Sequence, residues 1–264
     1  MPMNRYIDHR THGFTLIEIT MVMLIIVLLM TGLLPTITSQ IDLQRTTETR
    51  KQMDEIKQAL TGYAIVNGRL PCPAKANLSS TSVGAGMEAT TGTTCACVAS
   101  SGNTVADTSA IACTGTSVTG VLPWATLGVK ETDAWDRRYT YRVTTIFADQ
   151  FAASTYGCTP STTPTAASFA LCSTGVPDVI SAASGGTAVA TDVPALFLSH
   201  GKNGTGAYTR QGIQLSGAIG DEAENSNNDN TFVSHTETTS FDDIAAWISP
   251  SILFNRMVTA GKLP

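Results

Sequence analysis

One apolar segment near the N-terminus constrains this chain more than any other feature. Residues 14–34 are almost entirely Phe, Leu, Ile, Met and Val, and Glu18 is their only charged member. A helix of this length spans about 30 Å at about 1.5 Å per residue, which is the thickness of the hydrocarbon core of a bilayer. The segment therefore predicts a transmembrane helix that carries one acid in need of a partner.

The polar stretch ahead of the apolar segment predicts the orientation of the chain. It contains Arg5 and Arg10, and positive residues hold their side of a membrane helix in the cytoplasm. A small residue, Gly13, precedes the apolar run, whereas no A-x-A-like cleavage site follows Leu34. Cleavage after Gly13 would remove residues 1–13 and keep the helix, so we expect a single-pass membrane protein with its head outside the cytoplasm.

The sequence GFTLIEITMVMLIIVLLMTGLLP, which begins at Gly13, resembles the N-terminus of type IV prepilins and of type II secretion pseudopilins. The resemblance implies cleavage by a prepilin peptidase, N-methylation of Phe14, and assembly of the helices into a filament with other subunits on an inner-membrane platform. It also implies that Glu18 meets the terminal amine of Phe14 in a neighbouring subunit. Chemistry supports this pairing, because removing one of two buried opposite charges strands the other at a cost of about 3–5 kcal/mol.

Two features of this segment have a simpler alternative. The helix can be a plain single-pass anchor in which Glu18 is protonated or faces a chance partner. Gly32 and Pro35 predict a kink, because a proline removes one helical hydrogen bond and crowds the preceding turn. The resemblance extends to this proline, although a proline at a simple helix end is the other interpretation.

Residues 35–67 predict that the helix continues as an amphipathic half. Met53, Ile56, Leu60 and Tyr63 recur at steps of three and four residues and form one apolar stripe. A glycine and two prolines follow directly and end the helix. We expect the stripe to dock on a globular head.

Residues 68–264 form that head, and the predicted fold class is α+β and pilin-like, with an antiparallel β-sheet packed on the long helix. Alternating β-branched and aromatic residues predict strands at 139–144, 195–199 and 232–236. Low-complexity stretches at 78–119 and 154–191 predict long loops that serve as contact surfaces. Residues 249–258 predict a short C-terminal helix.

Three short motifs extend the resemblance into the head. Residues 133–141 resemble the D-x-W-G-x-x-Y-x-Y strand entry of pseudopilins, and residues 198–204 and 241–247 resemble the S-x-G-x-D-G and D-A-D-I-x-x-W motifs of the major pseudopilin. In that family the last two motifs frame a calcium site. The resemblance therefore implies Asp242 and Asp243 as ligands of Ca²⁺, a hard cation that prefers oxygen.

This chain departs from the family pattern at the implied calcium site, which would also use backbone carbonyls around Leu198. Asn203 stands where the family has an acid, and an insertion at residues 207–240 separates the two motifs. Four acids of the insertion are alternative oxygen donors: Asp221, Glu222, Glu224 and Asp229. The competing interpretation is that Asp242 caps a helix beginning near Asp243.

Six cysteines lie on the exported side and predict disulfides rather than metal ligands: Cys72, Cys95, Cys97, Cys113, Cys158 and Cys172. Cys158 and Cys172 bracket a loop and form the first predicted pair, which leaves the other four to pair among themselves. Cys95 and Cys97 are too close in sequence to bond each other easily. Cys-x-Cys spacing without a nearby histidine is a poor pattern for zinc.

The composition argues against nucleic-acid binding, and the sequence lacks the motifs of an enzyme. The net charge is −5 and the isoelectric point near 5.3, which gives no general attraction for nucleic acid. No nucleophile elbow, phosphate loop or H-x-x-x-H motif is present. A hydrolase that uses His200 with a remote acid is the enzymatic alternative.

We therefore predict a structural subunit of a type IV pilus or of a type II secretion pseudopilus, without a required cofactor. The bulky head favours a minor or tip subunit, because large loops hinder tight helical stacking, while the head motifs favour the secretion branch. The alternative from another class is a membrane-anchored, adhesin-like binding domain that does not polymerise. In that protein Glu18 would be dispensable.

Overall fold

The structure is a computed structural model that describes residues 13–98, 104–106, 111–150 and 166–263, without the side chains of residues 31–38. The chain divides into two compact units, Met1–Gln44 and Arg45–Pro264. The helices are α1 (Leu16–Asn67), α2 (Trp124–Leu127), α3 (Thr145–Ala148), α4 (Asp221–Glu224) and α5 (Pro250–Thr259). The strands are β1 (Thr90–Thr91), β2 (Thr94–Cys97), β3 (Ile111–Ala112), β4 (Ser117–Val121), β5 (Thr140–Thr144), β6 (Asp178–Ile180), β7 (Ala188–Ala190), β8 (Ala195–Ser199), β9 (Thr231–Val233) and β10 (Ile244–Ile248).

Helix α1 ends where the sequence predicts. Gly68 follows Asn67 with φ +71°, and its N–H donates to the Ala64 carbonyl at 2.8 Å, which satisfies one of the last free carbonyls of the helix. The backbone is helical through Gly32 and Pro35, but their side chains lie outside the described residues, so the kink stays a prediction.

In the part of the chain that the structure describes, no helix has both the length and the apolar character required for crossing a membrane. The transmembrane assignment of residues 14–34 therefore stays a prediction.

The core of the second unit confirms the predicted docking of the helix stripe on an antiparallel sheet. The sheet has the order β10-β8-β5-β4, and each neighbouring pair is antiparallel. Met53, Ile56 and Leu60 are buried in one cluster with Tyr141 and Phe197 of the sheet. Burying each large apolar side chain contributes about 1.5–3 kcal/mol. The fold is α+β, as predicted.

The alternative prediction of a helix that begins near Asp243 is wrong, because residues Ile244–Ile248 form strand β10. This strand pairs with β8 in the register Ile244↔Ser199 to Ile248↔Ala195. Ile244, Ala246 and Ile248 pack into the main core, whereas Ala245 and Trp247 pack into a second cluster. This alternation is the two-residue period of a strand with both faces covered.

The two stretches predicted as loops contain short strands. Strands β1, β2 and β3 form a small antiparallel sheet, and β6 pairs antiparallel with β7. The predicted strand at 232–236 corresponds to β9, which pairs in parallel with β6 and so lies outside the main sheet. Composition missed these strands because they are two to four residues long and depend on their pairing partners.

Two disulfides tie the region between helix α1 and strand β4. They join Cys72 to Cys95 and Cys97 to Cys113, which settles a pairing that the sequence left open. Cys172 is also disulfide-bonded. Its predicted partner, Cys158, lies outside the described residues.

An ion pair between Arg69 and Glu88 fixes the chain as it leaves helix α1. Two guanidinium nitrogens of Arg69 donate to the two carboxylate oxygens of Glu88, each at 2.8 Å, and the Cys72 N–H and Tyr63 hydroxyl also donate to this carboxylate. Burial alone would raise the Glu88 pKa, but the Arg69 charge and these hydrogen bonds outweigh it and lower the net pKa.

We expect Glu88→Gln to lower the free energy of unfolding at neutral pH by about 2–3 kcal/mol, because it leaves Arg69 without its counter-charge. The lowered pKa means that Glu88 stabilises the fold above its unfolded-state pKa and that this stabilisation disappears as the pH falls through the folded-state pKa. Chemical denaturation of both proteins between neutral and acid pH measures the effect. A difference that stays constant down to the acid limit would contradict it.

Candidate functional site

The first candidate site is the start of helix α1, where Gly13, Phe14 and Thr15 precede the helical residues. Glu18 lies in the first turn, where the helix dipole favours a negative charge. Its backbone N–H approaches the Thr15 hydroxyl at 3.3 Å and the Thr15 carbonyl at 3.1 Å. The Glu18 carboxylate itself has no hydrogen-bond or ion-pair partner among the described residues, so it is free to meet one on another molecule.

This segment exposes an apolar surface on every side of the helix. All residues from Gly13 to Met30 are exposed, including Phe14 at 78% and Leu16 at 83%. A helix that is apolar on all sides is stable when other apolar groups cover it. An apolar side chain that stays exposed to water lacks the free energy that its burial would contribute. Apolar groups that cover this surface would recover that free energy.

The second candidate site is a cluster of three acids in the head. One carboxylate oxygen each of Glu222, Asp242 and Asp243 lies within 4.8 Å of the other two. Asp242 and Asp243 directly precede strand β10, and Glu222 is on the short helix α4 inside the insertion. The structure thus joins the two predicted ligands with one acid of the insertion.

The backbone near the cluster is shaped to let the acids converge. Gly201 follows strand β8 with φ +57°, and a Cβ there would press on the Asp242 carbonyl oxygen and lie within 2.6 Å of its Oδ1. Only glycine fits this approach without moving the Asp242 side chain.

Hydrogen bonds satisfy some carboxylate oxygens of the cluster and leave two others without a donor. The side-chain amide of Asn203 donates to Glu222 Oε1 at 2.6 Å, and its backbone N–H donates to Asp242 Oδ2 at 2.9 Å. The Asn225 amide donates to Asp243 Oδ2 at 2.8 Å. The Oδ1 atoms of Asp242 and Asp243 are buried and have no hydrogen-bond donor in the described part of the chain.

The electrostatics of the cluster favour a cation. Burial raises the pKa of Asp243 well above its usual range, and the charges of Glu222 and Asp242 raise it further. Burial raises the pKa of Asp242 as well. Both shifts record the cost of placing negative charges together away from water, and a divalent cation removes that cost while supplying the missing partner of both Oδ1 atoms.

The other predicted oxygen donors have different partners. Asp221 accepts from the Ala183 N–H at 2.8 Å and contacts His235 Nε2 at 3.1 Å. Glu224 and Asp229 both accept from the side-chain amide of Asn227, at 3.2 and 3.0 Å. Leu198 lies inside strand β8, and a role for the nearby carbonyls stays a prediction.

The insertion that carries Glu222 is tied to the main sheet by a buried arginine. Arg142 of strand β5 donates to the Asn228 carbonyl at 2.9 Å and to Asn230 Oδ1 at 2.8 and 3.0 Å. It also donates to the hydroxyls of Ser117 and Thr119 on strand β4. Burial among these uncharged acceptors lowers the Arg142 pKa to about 10. The sequence offered no signal for this anchor.

His200 lies between strand β5 and the acidic cluster. Its Nε2 is 2.9 Å from the Thr140 hydroxyl, and its Nδ1 is 3.7 Å from Asp243 Oδ1, which is too long for a hydrogen bond. The cavity beside these residues measures about 20 Å³ and admits one water-sized group.

The comparisons with known proteins bear on the N-terminal site. The family model of the prokaryotic N-terminal methylation motif matches residues 8–34. The N-terminus therefore carries the signature of type IV prepilin-like and pseudopilin-like proteins, which confirms the resemblance seen in the sequence. Neither a curated protein nor a solved structure shows significant similarity to the chain.

We expect Gly201→Ala to destabilise the head by about 2 kcal/mol more than Gly128→Ala, because its Cβ collides with Asp242. Gly128 is the matched control, since it has φ +69° and open space where a Cβ would be. Thermal unfolding of both variants in chelator makes the comparison. An equal loss of stability in the two variants would show that a Cβ at Gly201 does not collide with Asp242.

Proposed function

We propose that this chain is a structural subunit that is cleaved after Gly13 and assembles into a filament through helix α1. The carrying observation is the methylation motif at residues 8–34, which implies processing by a prepilin peptidase and assembly with other pilins. The exposed apolar surface from Phe14 to Met30 supports the same role, because the same helix of a neighbouring subunit in a filament would cover it with apolar side chains. No enzymatic activity is part of the proposal.

Before assembly, residues 14–34 are proposed to anchor the chain in the inner membrane of a bacterium with the head outside. The motif indicates a membrane-anchored pilin-type protein. The disulfides of the head agree with export, because disulfides persist in oxidising compartments.

Within this class we propose a minor or tip subunit. The head carries an insertion at residues 207–240 with its own helix and strand, and it is held to the main sheet by Arg142. A head of this bulk is easier to place at a filament end than at every position of a tightly stacked filament. The sequence motifs of the head favour the secretion pseudopilus over the pilus.

The test of assembly compares Glu18→Ala and Glu18→Gln with wild type and with Thr20→Ala. Glu18 is the only charged residue between Phe14 and Ile41. Among the described residues, the Thr20 hydroxyl donates within its own helix, to the Ile17 carbonyl. Both Glu18 variants should lose incorporation into sheared or cross-linked filaments by more than about a hundredfold, which corresponds to about 3–5 kcal/mol for a stranded buried charge. Thr20→Ala should assemble normally.

Intact mass completes this test. Mature wild-type protein should begin at an N-methylated Phe14, and Gly13→Leu should accumulate as precursor. If wild-type protein and the Glu18 variants alike stayed unprocessed and unassembled, the chain would be an anchored binding domain instead of a polymerising subunit. Incorporation of the Glu18 variants at the wild-type level would refute the role of Glu18 in assembly.

We also propose that Glu222, Asp242 and Asp243 bind Ca²⁺. Three converging carboxylates with two buried, unpartnered oxygens fit a hard cation, and water or backbone carbonyls complete its usual six to eight ligands. The bound cation would stabilise the head by neutralising the cluster. This site is separate from the filament contact and has a separate test.

Calcium should raise the Tm of the wild-type protein relative to chelator, because a ligand at a hundred times its Kd stabilises the folded state by about 2.7 kcal/mol. Glu222→Gln should remove this response. Glu224→Gln is the matched control, since Glu224 is on the same short helix but contacts Asn227 rather than the cluster. An unchanged Tm on chelation of wild type, or an equal response in both variants, would refute the calcium site.

A further inference from the structure

Strand β10 is an uncovered edge of the main sheet in the part of the chain that the structure describes. The order β10-β8-β5-β4 leaves β10 and β4 at the two edges. The outer side of β4 is covered, because Ala74 and Val121 exchange two backbone hydrogen bonds and the Val105 N–H donates to the Thr119 carbonyl at 2.8 Å. Among the described residues, β10 pairs with β8 alone. We call the side of β10 that faces away from β8 the free edge.

The hydrogen-bond pattern of the sheet shows which backbone groups lie on the free edge. The Thr144 N–H donates to the Pro194 carbonyl at 3.0 Å, and successive residues of a central antiparallel strand bond alternately to its two neighbours. Even-numbered residues of β8 therefore bond β5, and odd-numbered residues bond the even-numbered residues of β10 opposite them. The N–H and C=O groups of Ala245 and Trp247 point away from the sheet. They have no hydrogen-bond partner among the described residues.

The free edge lacks the features that usually keep sheet edges from pairing. Natural edge strands are often very short, or they carry charged residues, prolines or β-bulges. Strand β10 has the sequence Ile-Ala-Ala-Trp-Ile, and its register with β8 runs over five residues without a shift. Its outward N–H and C=O groups are therefore available to another extended polypeptide, whose own backbone groups have the matching spacing.

A groove of about 370 Å³ adjoins this strand. Its lining includes residues 244–246 of β10, Arg50 and Asp54 of helix α1, and Glu237 of the segment that follows β9. Successive side chains of a strand point to opposite faces, so a groove lined by three consecutive residues lies against the edge of the strand rather than against one face. An extended segment that pairs with β10 would therefore lie in this edge groove.

The edge groove is acidic. Its charged and ionisable lining residues are Asp54, Glu237, Asp242, Asp243, Arg50 and His235. Asp54 and Glu237 lie outside the acidic cluster proposed to bind Ca²⁺, so acids remain in the groove when a cation neutralises that cluster. A basic segment complements such a groove, whereas an acidic segment or a second copy of the same edge would bring like charges together.

We propose that the free edge of β10 binds an extended, basic segment of a partner protein by strand addition. The backbone of the segment pairs with Ala245 and Trp247, and its lysine or arginine side chains lie near Asp54 and Glu237. Main-chain hydrogen bonds supply affinity in this mode of recognition, and side-chain contacts supply specificity. The head then has a partner site of its own, separate from the proposed filament contact of helix α1.

The experiment measures amide hydrogen exchange by NMR in the full-length chain, in a zwitterionic detergent and at fixed pH and calcium concentration. Without a ligand, the amides of Ala245 and Trp247 should exchange faster than those of Ala246 and Ile248, which bond to β8. The probe is the peptide Lys-Thr-Val-Thr-Val-Thr-Lys with blocked termini. At saturation it should slow exchange at Ala245 and Trp247 by at least about tenfold.

Two further peptides separate the two parts of the proposal. Replacing both terminal lysines with glutamates keeps the strand-forming middle and reverses the charge, so this peptide should bind at least about tenfold more weakly. Methylating every internal backbone nitrogen keeps the lysines but removes the donors, so this peptide should leave the exchange of Ala245 and Trp247 unchanged.

Ala245→Pro should weaken binding of the basic peptide at least about tenfold, because it removes an outward N–H and leaves the bonds to β8 in place. Ala245→Ser is the matched control at the same position. It keeps the N–H and should bind within about twofold of wild type. A Tm near that of wild type identifies the folded variants.

Asp54→Lys tests the charge of the groove without changing the strand, so it applies even if Ala245→Pro fails to fold. It should weaken binding of the basic peptide about fivefold or more, because it replaces an attraction with a repulsion. Glu55→Lys is the matched control, since Glu55 is the next residue of helix α1, is also exposed and does not line the groove. It should bind within about twofold of wild type.

Several results would overturn the strand-addition site. One is unchanged exchange at Ala245 and Trp247 with the basic peptide, and another is equal binding of the glutamate or N-methylated peptide. Equal weakening by Asp54→Lys and Glu55→Lys would refute the charge complementarity. Slow exchange at both residues that depends on protein concentration, without any peptide, would show that a second copy covers the edge instead. None of these results changes the Glu18 filament test or the Glu222 calcium test, so the proposals fail separately.

Discussion

The contact between the buried stripe of helix α1 and the antiparallel sheet is the interaction on which the head depends. Met53, Ile56 and Leu60 supply the helix side, and the sheet supplies Tyr141 and Phe197. This packing covers one face of the sheet. Within the sheet, the order β10-β8-β5-β4 places the ends of neighbouring strands together although they are distant in sequence. His200 and Asp243 meet in this way, after β8 and before β10, although 42 residues lie between them. The acidic cluster and His200 therefore lie together at one end of the β8–β10 pair.

Features with a strong local period could be predicted from the sequence, and features that depend on distant pairing could not. The end of α1 at Asn67 and the strands near 140–144 and 195–199 follow from glycine placement and from alternation. Residues 241–247 resemble a capped helix because acids precede a short Ala-rich stretch, yet pairing with β8 over five residues makes them a strand. Local propensity carries little weight against a five-residue ladder whose side chains pack against neighbours on both faces.

The same distinction applies to the acidic cluster. The sequence pointed to Asp242 and Asp243, and it provided four acids of the insertion without a criterion for choosing among them. The choice of Glu222 follows from the position of α4 and from the anchoring of the insertion by Arg142, neither of which has a local signature. The close approach of Gly201 to Asp242 was equally hidden, because the role of a glycine in a loop becomes clear only when the atoms that a Cβ would meet are known.

The two disulfides that begin on strand β2 also constrain how the head can fold. Cys95 and Cys97 are separated by one residue and therefore point to the same face of the strand, so a slip of β2 by two residues would offer each partner the wrong thiol without turning the strand over. The pairing of β2 with β1 and β3 distinguishes the native bonds from the exchanged ones. Correct oxidation has to follow the formation of this small sheet or be repaired later by thiol exchange. A chain that oxidises before this sheet has formed would need a compartment that reshuffles disulfides as well as one that makes them.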